Sequence, residues 1–148
     1  QVAAQRAQGA ILMASEAASG ARDPIGTVQE LLRDSLSRSD AAGLPAHRVV
    51  LDPGIGFFRR AAKPWHAWDC EIVRRLGELH ALNRPILIGV SRKSFIGKML
   101  EKPDPSDRLA GSLAATAIAI ANGAHVVRTH DVGATRDAIR VAEALRPR

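Results

Sequence analysis

Four short apolar segments recur at a nearly constant spacing, and this repeat constrains the fold more than any other feature. They begin at residues 10, 48, 85 and 124, so 38, 37 and 39 residues separate successive starts. Each is followed by a stretch with helical periodicity, and a strand followed by a helix at this spacing is typical of repeated βα units with a parallel sheet. The segments are almost continuously apolar, as expected of strands covered on both faces. The predicted strands are 10–13, 48–51, 85–88 and 124–127.

Helix signals follow each predicted strand. Thr27 and Glu30 have the spacing of a capping box, which predicts that the first helix begins at Thr27. Pro64 suits the first turn of a second helix, whose apolar positions are Trp68, Ile72, Leu76 and Leu79. The remaining helices are predicted at 106–122 and 134–145. Four βα units are half of an eight-unit barrel, and a four-stranded open sheet is the alternative.

Length and composition exclude several classes of protein. One domain is expected of 148 residues. No apolar run approaches the ~20 residues that span a bilayer, so no membrane span is predicted. Cys70 is the single cysteine and cannot form an internal disulfide, which fits a cytoplasmic protein. The first residue is Gln1 rather than Met, so the natural N-terminus is expected to be missing.

The net charge of +6 is compatible with nucleic acid or with small anionic substrates. The chain has no tyrosine, and its arginines are scattered rather than clustered. We therefore predict no nucleic-acid partner and favour a small anionic ligand.

Polar clusters follow three of the predicted strands, at residues 52–57, 91–94 and 128–131. The carboxyl ends of parallel strands meet at one edge of the sheet, where α/β enzymes place their active sites. The clusters combine carboxylate, guanidinium, ammonium and imidazole groups. They predict a site that holds an anionic substrate beside a polar, uncharged one.

The first cluster begins with Asp52-Pro53-Gly54, which could be no more than a turn that closes the strand. A second glycine, Gly56, favours a functional interpretation because paired glycines let a backbone pass close to a ligand. Asp52, at the strand tip, could accept two hydrogen bonds from an amino-heterocycle. A buried carboxylate without such a partner would be costly.

The second cluster places Arg92 and Lys93 near the start of a helix. Cations are unfavourable there unless an anion is bound, because the helix dipole already favours anions. The alternative is that Ser91 caps the helix and both cations are solvated.

The third cluster alternates along a strand, so Arg128 and His130 are predicted to point to the same face, with Thr129 opposite. A basic pair at the mouth of a strand suggests a phosphate or diphosphate clamp. The alternative is a salt bridge from Arg128 to Asp131 or a neighbouring acid.

In this order, the three clusters resemble the dihydropteroate synthase family. The family pattern is Asp-Pro-Gly-hydrophobic-Gly-Phe at one strand end, then Ser-Arg-Lys-Ser, then Arg-x-His-Asp. Residues 107–113 also resemble a helix of the family, and the resemblance runs from about Gly9 to the end of the chain. It implies a (β/α)₈ barrel of which residues 1–148 are a single half-barrel domain, strands five to eight, with the N-terminal half missing.

The family's reaction, as the resemblance implies it, joins 7,8-dihydropterin-6-ylmethyl diphosphate to p-aminobenzoate, releasing pyrophosphate. Four catalytic roles follow: Asp52 binds the pterin ring, Lys93 reaches its polar edge, and Arg128 and His130 bind the diphosphate. The remaining substrate contacts are Ser94 with the p-aminobenzoate carboxylate, Phe57 and Arg92 in its pocket, and Met13 against the pterin. Mg²⁺ would assist the leaving group, with its ligand in the missing half and none in this chain.

One departure from the family lies at the top of the first strand, where the family commonly has a Leu-Met-His-Met-like sequence and Leu12-Met13 is here followed by Ala14-Ser15-Glu16. Two alternatives remain: a pterin-binding methyltransferase domain that feeds a corrinoid, and a catalytically inactive half-barrel that serves as an interaction subunit. The expected partners are a second copy, forming a homodimer, or the missing N-terminal half.

Overall fold

The computed structural model describes residues 8–15, 23–60 and 63–146, so Glu16 lies outside the described residues. Its four strands fall within, or within one residue of, the predicted segments: β1 Ala10–Met13, β2 Val49–Asp52, β3 Leu87–Ile88 and β4 Val126–Val127. β1 pairs in parallel with β2, and β3 in parallel with β4. A parallel bridge between Leu51 and Ile86 joins the two pairs. The strands therefore follow chain order, and the predicted parallel α/β architecture is confirmed.

Within the described residues, five α-helices connect and follow the strands. They are α1 Pro24–Ala41, α2 Trp65–Arg74, α3 Ser94–Leu100, α4 Leu109–Ala121 and α5 Val132–Leu145. Three 3₁₀ segments cover Ala46–Arg48, Leu76–Leu82 and Pro105–Arg108. The order of elements is thus strand and helix in alternation, with two helices between β3 and β4.

Two helix boundaries differ from prediction. The capping box at Thr27 is wrong, because α1 begins at Pro24 and Asp23 caps it by accepting from the Gly26 N–H at 3.1 Å. The predicted helix 106–122 begins as the 3₁₀ segment Pro105–Arg108 and becomes α-helical only at Leu109. The physical reason is local, since Asp104 accepts from the Ser106 N–H at 2.8 Å and opens a separate turn.

The core lies between the strands and the first helices. Trp68 of α2 is fully buried and stacks on Phe58, with 5.2 Å between ring centroids. The predicted apolar face of the second helix is confirmed, although Leu76 and Leu79 lie in the 3₁₀ segment rather than in α2. Burying these large side chains supplies most of the driving force for folding and anchors the strand ends.

The outer strands carry exposed apolar side chains. Ile11 and Met13 of β1 are 56% and 38% exposed, and Val126 of β4 is 41% exposed. Within the described residues, β1 and β4 each pair with one neighbour only. No helix among these residues is long and apolar enough to cross a membrane.

Candidate active site

Asp52 is the last residue of β2, and its carboxylate is fixed at the strand tip. The side chain is buried, and its Oδ1 accepts from the Gly54 N–H at 2.8 Å. Burial raises the pKa of Asp52, while the Gly54 N–H and the charges of Arg128 and Lys93 act in the opposite direction. Met13 lies directly opposite Asp52 in the parallel register. The pair forms one wall at the carboxyl end of the sheet.

The glycine loop, residues 54–57, leaves β2 in a conformation that suits glycine. Gly54 has φ +75°, and a Cβ there would lie 1.9 Å from the carbonyl oxygen of Ala14. A Cβ at Gly56 would lie 3.3 Å from Nζ of Lys93. The loop therefore packs tightly against β1 on one side and against Lys93 on the other.

Lys93 connects the glycine loop with the second polar cluster. Its Nζ donates to the carbonyl oxygen of Ile55 at 2.8 Å and lies 4.9 Å from the ring centroid of Phe57. Burial lowers the pKa of Lys93 and the charge of Arg128 lowers it further, whereas Asp52 raises it. The half-buried ammonium group of Lys93 is thus influenced by charges of both signs, those of Arg128 and Asp52.

Arg92 adopts a left-handed backbone conformation, with φ +56°. Its N–H donates to Ser112 Oγ at 2.8 Å, and its guanidinium donates to Asp131 at 2.7 and 3.1 Å. The predicted alternative of an Arg128–Asp131 salt bridge is wrong, because the Asp131 carboxylate forms its ion pair with Arg92 instead. The ion pair also lowers the pKa of Asp131.

Ser91 does not cap the following helix, so that alternative is also wrong. Helix α3 begins at Ser94, and no side chain caps it. Ser91 Oγ instead lies 3.0 Å from His130 Nδ1 and accepts from the His130 N–H at 3.3 Å. These contacts join the second cluster to the third.

Arg128 and His130 line the same cavity, as predicted, although β4 ends at Val127. Thr129 turns away, with its Oγ1 2.8 Å from that of Thr135. Arg128 lies over Gly89, where a Cβ would be 2.8 Å from Nη2, so the glycine makes room for the guanidinium. The cavity has a volume of about 410 Å³, and its lining is Gly89, Ser91, Arg92, Lys93, Pro105, Arg128 and His130.

Ser94 and Phe57 lie beside this cavity rather than in its lining. Ser94 Oγ accepts from Arg59 Nη2 at 2.9 Å, and the Arg59 guanidinium lies 4.3 Å from the Trp65 ring centroid. Arg59 was not among the predicted site residues, because it follows the glycine loop without any motif of its own. Phe57 is 44% exposed next to Lys93.

Arg108 is a second residue that sequence reasoning missed. Its side chain is buried, and it donates to the carbonyl oxygens of Arg92 and Lys102 at 2.9 Å and to that of Pro103. It therefore clamps the backbone of the left-handed Arg92. Its position inside the family-like stretch 107–113 was the only signal available.

Replacing Arg108 by methionine is expected to lower the free energy of unfolding by about 2 kcal/mol, because three carbonyl groups lose a charged donor while the aliphatic volume is kept. Urea denaturation followed by circular dichroism measures this loss. Arg140→Met, at an exposed position on α5, is the matched control and should change stability by less than about 0.5 kcal/mol. Equal losses in the two variants would contradict the clamp.

The described residues do not form a metal centre. No three His, Cys, Asp or Glu side chains among them converge on one point. The charged side chains that line the cavity include Arg92, Lys93 and Arg128, and these cations do not suit Mg²⁺, which prefers oxygen ligands. No chemical step is therefore assigned to a metal in this chain.

The parallel strands, the glycine loop and the basic cavity form a polar site at one edge of the sheet, where α/β enzymes bind their substrates. The sequence model of the family described as pterin binding enzyme matches residues 1–130, and the chain belongs to that family. The chain is similar to the dihydropteroate synthase of Escherichia coli (strain K12), with 40% identity over 122 residues. That match covers 82% of the chain and 41% of the E. coli protein, so the chain spans about two fifths of this curated relative.

Two solved structures show the same likeness. Dihydropteroate synthase from Clostridium difficile, solved in the presence of pteroic acid, superposes with a TM-score of 0.88 at 32% identity over 99% of the chain and 54% of that protein. The Thermus thermophilus enzyme in complex with 6HMPPP gives a TM-score of 0.85 at 38% identity, covering 97% of the chain and 56% of that protein. The likeness thus extends over nearly all of the chain and about half of each solved protein.

Proposed function

We propose that the chain is part of a dihydropteroate synthase that condenses 7,8-dihydropterin-6-ylmethyl diphosphate with p-aminobenzoate. The observation that carries the proposal is the position of Lys93, whose ammonium group touches the glycine loop and also lines the cavity that contains Arg128 and His130. One cation thereby joins a wall suited to a heterocycle with a pocket suited to a diphosphate. The relatives solved in the presence of pteroic acid and in complex with 6HMPPP support the same substrates.

The proposed reaction depends on charge stabilisation and positioning. The bond from the pterin methylene carbon to the diphosphate oxygen breaks, a bond from that carbon to the amine nitrogen forms, and the nitrogen then loses a proton. Arg128 and His130 hold the diphosphate and offset the negative charge of the departing pyrophosphate. A neutral aromatic amine is already a nucleophile, so alignment of the two substrates supplies much of the remaining rate.

We assign the two substrates to neighbouring walls. Asp52 accepts hydrogen bonds from the pterin ring, Lys93 contacts its polar edge, and Met13 packs against its face. On the other side, the carboxylate of p-aminobenzoate binds Ser94, and its ring lies in a pocket formed by Phe57 and Arg92. The placement of Met13 opposite Asp52 in the sheet supports the first assignment.

We further propose that residues 1–148 are a single domain that forms strands five to eight of a (β/α)₈ barrel. The parallel order of β1 to β4 and the likeness to about half of each solved relative support this placement. Any Mg²⁺ that assists the reaction would then be held by the other half of the barrel. A cytoplasmic location remains our expectation from the single cysteine and the family resemblance.

We infer two partner surfaces from the exposed apolar side chains. The outer strands β1 and β4 would pair with the other half of the barrel. A separate apolar groove of about 380 Å³ between α2, α3 and α4 includes Met99, Leu100 and Ile118, which are 44–58% exposed. We propose that this groove meets a second copy in a homodimer.

The isolated chain is therefore expected to dimerise, to aggregate or to require the other half-barrel. Size-exclusion chromatography with light scattering measures its state. A stable, soluble monomer would contradict the assignment of open strand edges. Adding the other half-barrel as a separate polypeptide should shift the elution to a complex of both parts.

The activity is tested by measuring pyrophosphate release on the complete protein, with and without p-aminobenzoate. Release that depends on p-aminobenzoate and falls at least tenfold in a Lys93→Ala variant supports the proposal. Methyl transfer from a methylated pterin to a corrinoid would instead support the methyltransferase alternative. If a folded, complete protein shows neither activity, the result would favour the inactive interaction subunit.

A further inference from the structure

A buried carboxylate lies beneath the candidate site and takes no part in the proposed reaction. Asp69 is on α2, is only 1% exposed, and its Oδ1 accepts from the Gly56 N–H at 2.8 Å. Its Oδ2 is buried and has no hydrogen-bond partner within the described part of the chain. Because a half-satisfied buried acid is costly, its presence here requires a reason.

The hydrogen bond places Asp69 on the far side of the glycine loop from Lys93. Gly56 donates to Asp69, and the preceding residue, Ile55, accepts from Lys93 Nζ at 2.8 Å. The peptide group between Ile55 and Gly56 thus donates its N–H to Asp69 of α2 and accepts at its carbonyl from the ammonium group of Lys93. A shift of this loop would move the acceptor of Lys93.

The carboxylate of Asp69 also contributes to the electrostatic environment of Lys93. Four charged side chains act on Lys93: Arg128 and Arg59 disfavour its protonated form, and Asp52 and Asp69 favour it. Without the Asp69 carboxylate, the ammonium would face two cations and a single anion. The two anions therefore favour the charged form of Lys93 next to a basic cavity.

We propose that Asp69 is a positioning residue of the site: its buried carboxylate anchors the glycine loop and holds the charged ammonium group of Lys93. The inference rests on the proposed function only for the identity of the substrate that Lys93 binds. The electrostatic coupling between Lys93 and Asp69 can be measured without substrate. Burial raises the pKa of Asp69 to about 6, although the Gly56 N–H and the charges of Arg59, Lys93 and His66 lower it. Asp69 is thus ionised at neutral pH, as the role requires.

Cys70, the residue that follows Asp69, is a further titratable group near this carboxylate. The Asp69 charge contributes to a raised pKa of Cys70, after the larger effect of burial. Cys70 is therefore a thiol at neutral pH and adds no charge to the site. The charges that matter to Asp69 are those of Lys93, Arg59 and His66.

The test is a titration of Lys93 in the complete protein, without substrate, by NMR of ¹³C-dimethylated lysines. This chain contributes Lys63, Lys93, Lys98 and Lys102, and the resonance that disappears in a Lys93→Arg variant is that of Lys93. In Asp69→Asn, which keeps an oxygen for the Gly56 N–H, the midpoint for Lys93 should fall by about 0.5 pH unit or more. Glu71→Gln, which removes an acid from the same helix, should leave it within about 0.1 pH unit.

Reciprocity supplies a measurement that does not need an Asp69 variant to fold. If Asp69 favours the charged form of Lys93, then Lys93→Met must raise the pKa of Asp69 by the same amount, which ¹³C carboxyl NMR detects. An unchanged Lys93 midpoint in a folded Asp69→Asn variant would overturn the proposal, as would an unchanged Asp69 midpoint in Lys93→Met.

In the complete protein, the alkaline limb of kcat/KM should move to lower pH in Asp69→Asn. A purely structural role for Asp69 would lower stability and leave this limb where it is. If the NMR midpoints shift but no pyrophosphate is released, the coupling stands and the proposed reaction fails. The two failures are therefore distinguishable.

Discussion

Replacing Gly54 by alanine is expected to destabilise the chain by about 3–5 kcal/mol. The added Cβ would lie 1.9 Å from the Ala14 carbonyl oxygen, and the backbone has φ +75°. The Cβ position is fixed by the main chain and the oxygen belongs to it, so relief requires that Ala14, which directly follows β1, and the glycine loop separate. The same shift would also break the 2.8 Å hydrogen bond from Gly54 to Asp52. Thermal and urea denaturation of the purified variant measure the loss.

Gly43→Ala is the matched control for this prediction. Gly43 has nearly the same φ, +78°, but a Cβ there would have no atom within 4 Å in the described structure. Its replacement should cost only the backbone strain, about 1 kcal/mol. A Gly54→Ala variant no less stable than Gly43→Ala would show that the contact with Ala14 is not tight.

The second large effect is expected from Arg128→Met in the complete protein. If the guanidinium holds the diphosphate through a pair of charged hydrogen bonds, its loss should weaken binding of the pterin diphosphate about 100-fold or more. Isothermal titration calorimetry with this ligand measures the change. Arg128→Lys should recover only part of the affinity, because an ammonium group cannot make the paired contact.

Two controls make the result specific. Arg136→Met removes the same charge from an exposed position on α5 and should leave affinity nearly unchanged. A pterin alcohol without the diphosphate should bind Arg128→Met almost as well as the unaltered protein. Equal losses for both ligands would mean that Arg128 supports the pocket rather than the diphosphate.

The sequence predicted the elements that depend on local patterns. Apolar runs and their spacing located all four strands, and the order of the polar clusters indicated one edge of the sheet. The capping box at Thr27 failed because Asp23-Pro24, one turn earlier, is a stronger start signal. Propensity alone could not choose between two plausible caps.

Long-range contacts lay beyond prediction. Nothing in the sequence near Asp131 indicates that its ion-pair partner is Arg92, 39 residues earlier, rather than Arg128. Arg108 and Asp69 were missed for a similar reason, because Arg108 binds the carbonyl of Arg92, 16 residues away, and Asp69 binds the N–H of Gly56, 13 residues away. A charged residue in or beside a helix gives no sign in the sequence that its head group is buried.

The contacts between the polar clusters have a consequence for how such a chain can be recombined. Lys93 from the third βα unit binds a carbonyl of the second, while Ser91 and Arg92 bind His130 and Asp131 of the fourth. The second and fourth units therefore each supply one partner of a pair whose other partner lies in the third unit. Exchange of one of these units with a homologue that differs at a paired position would leave its partner unmatched, so we expect the three units to recombine best as one block.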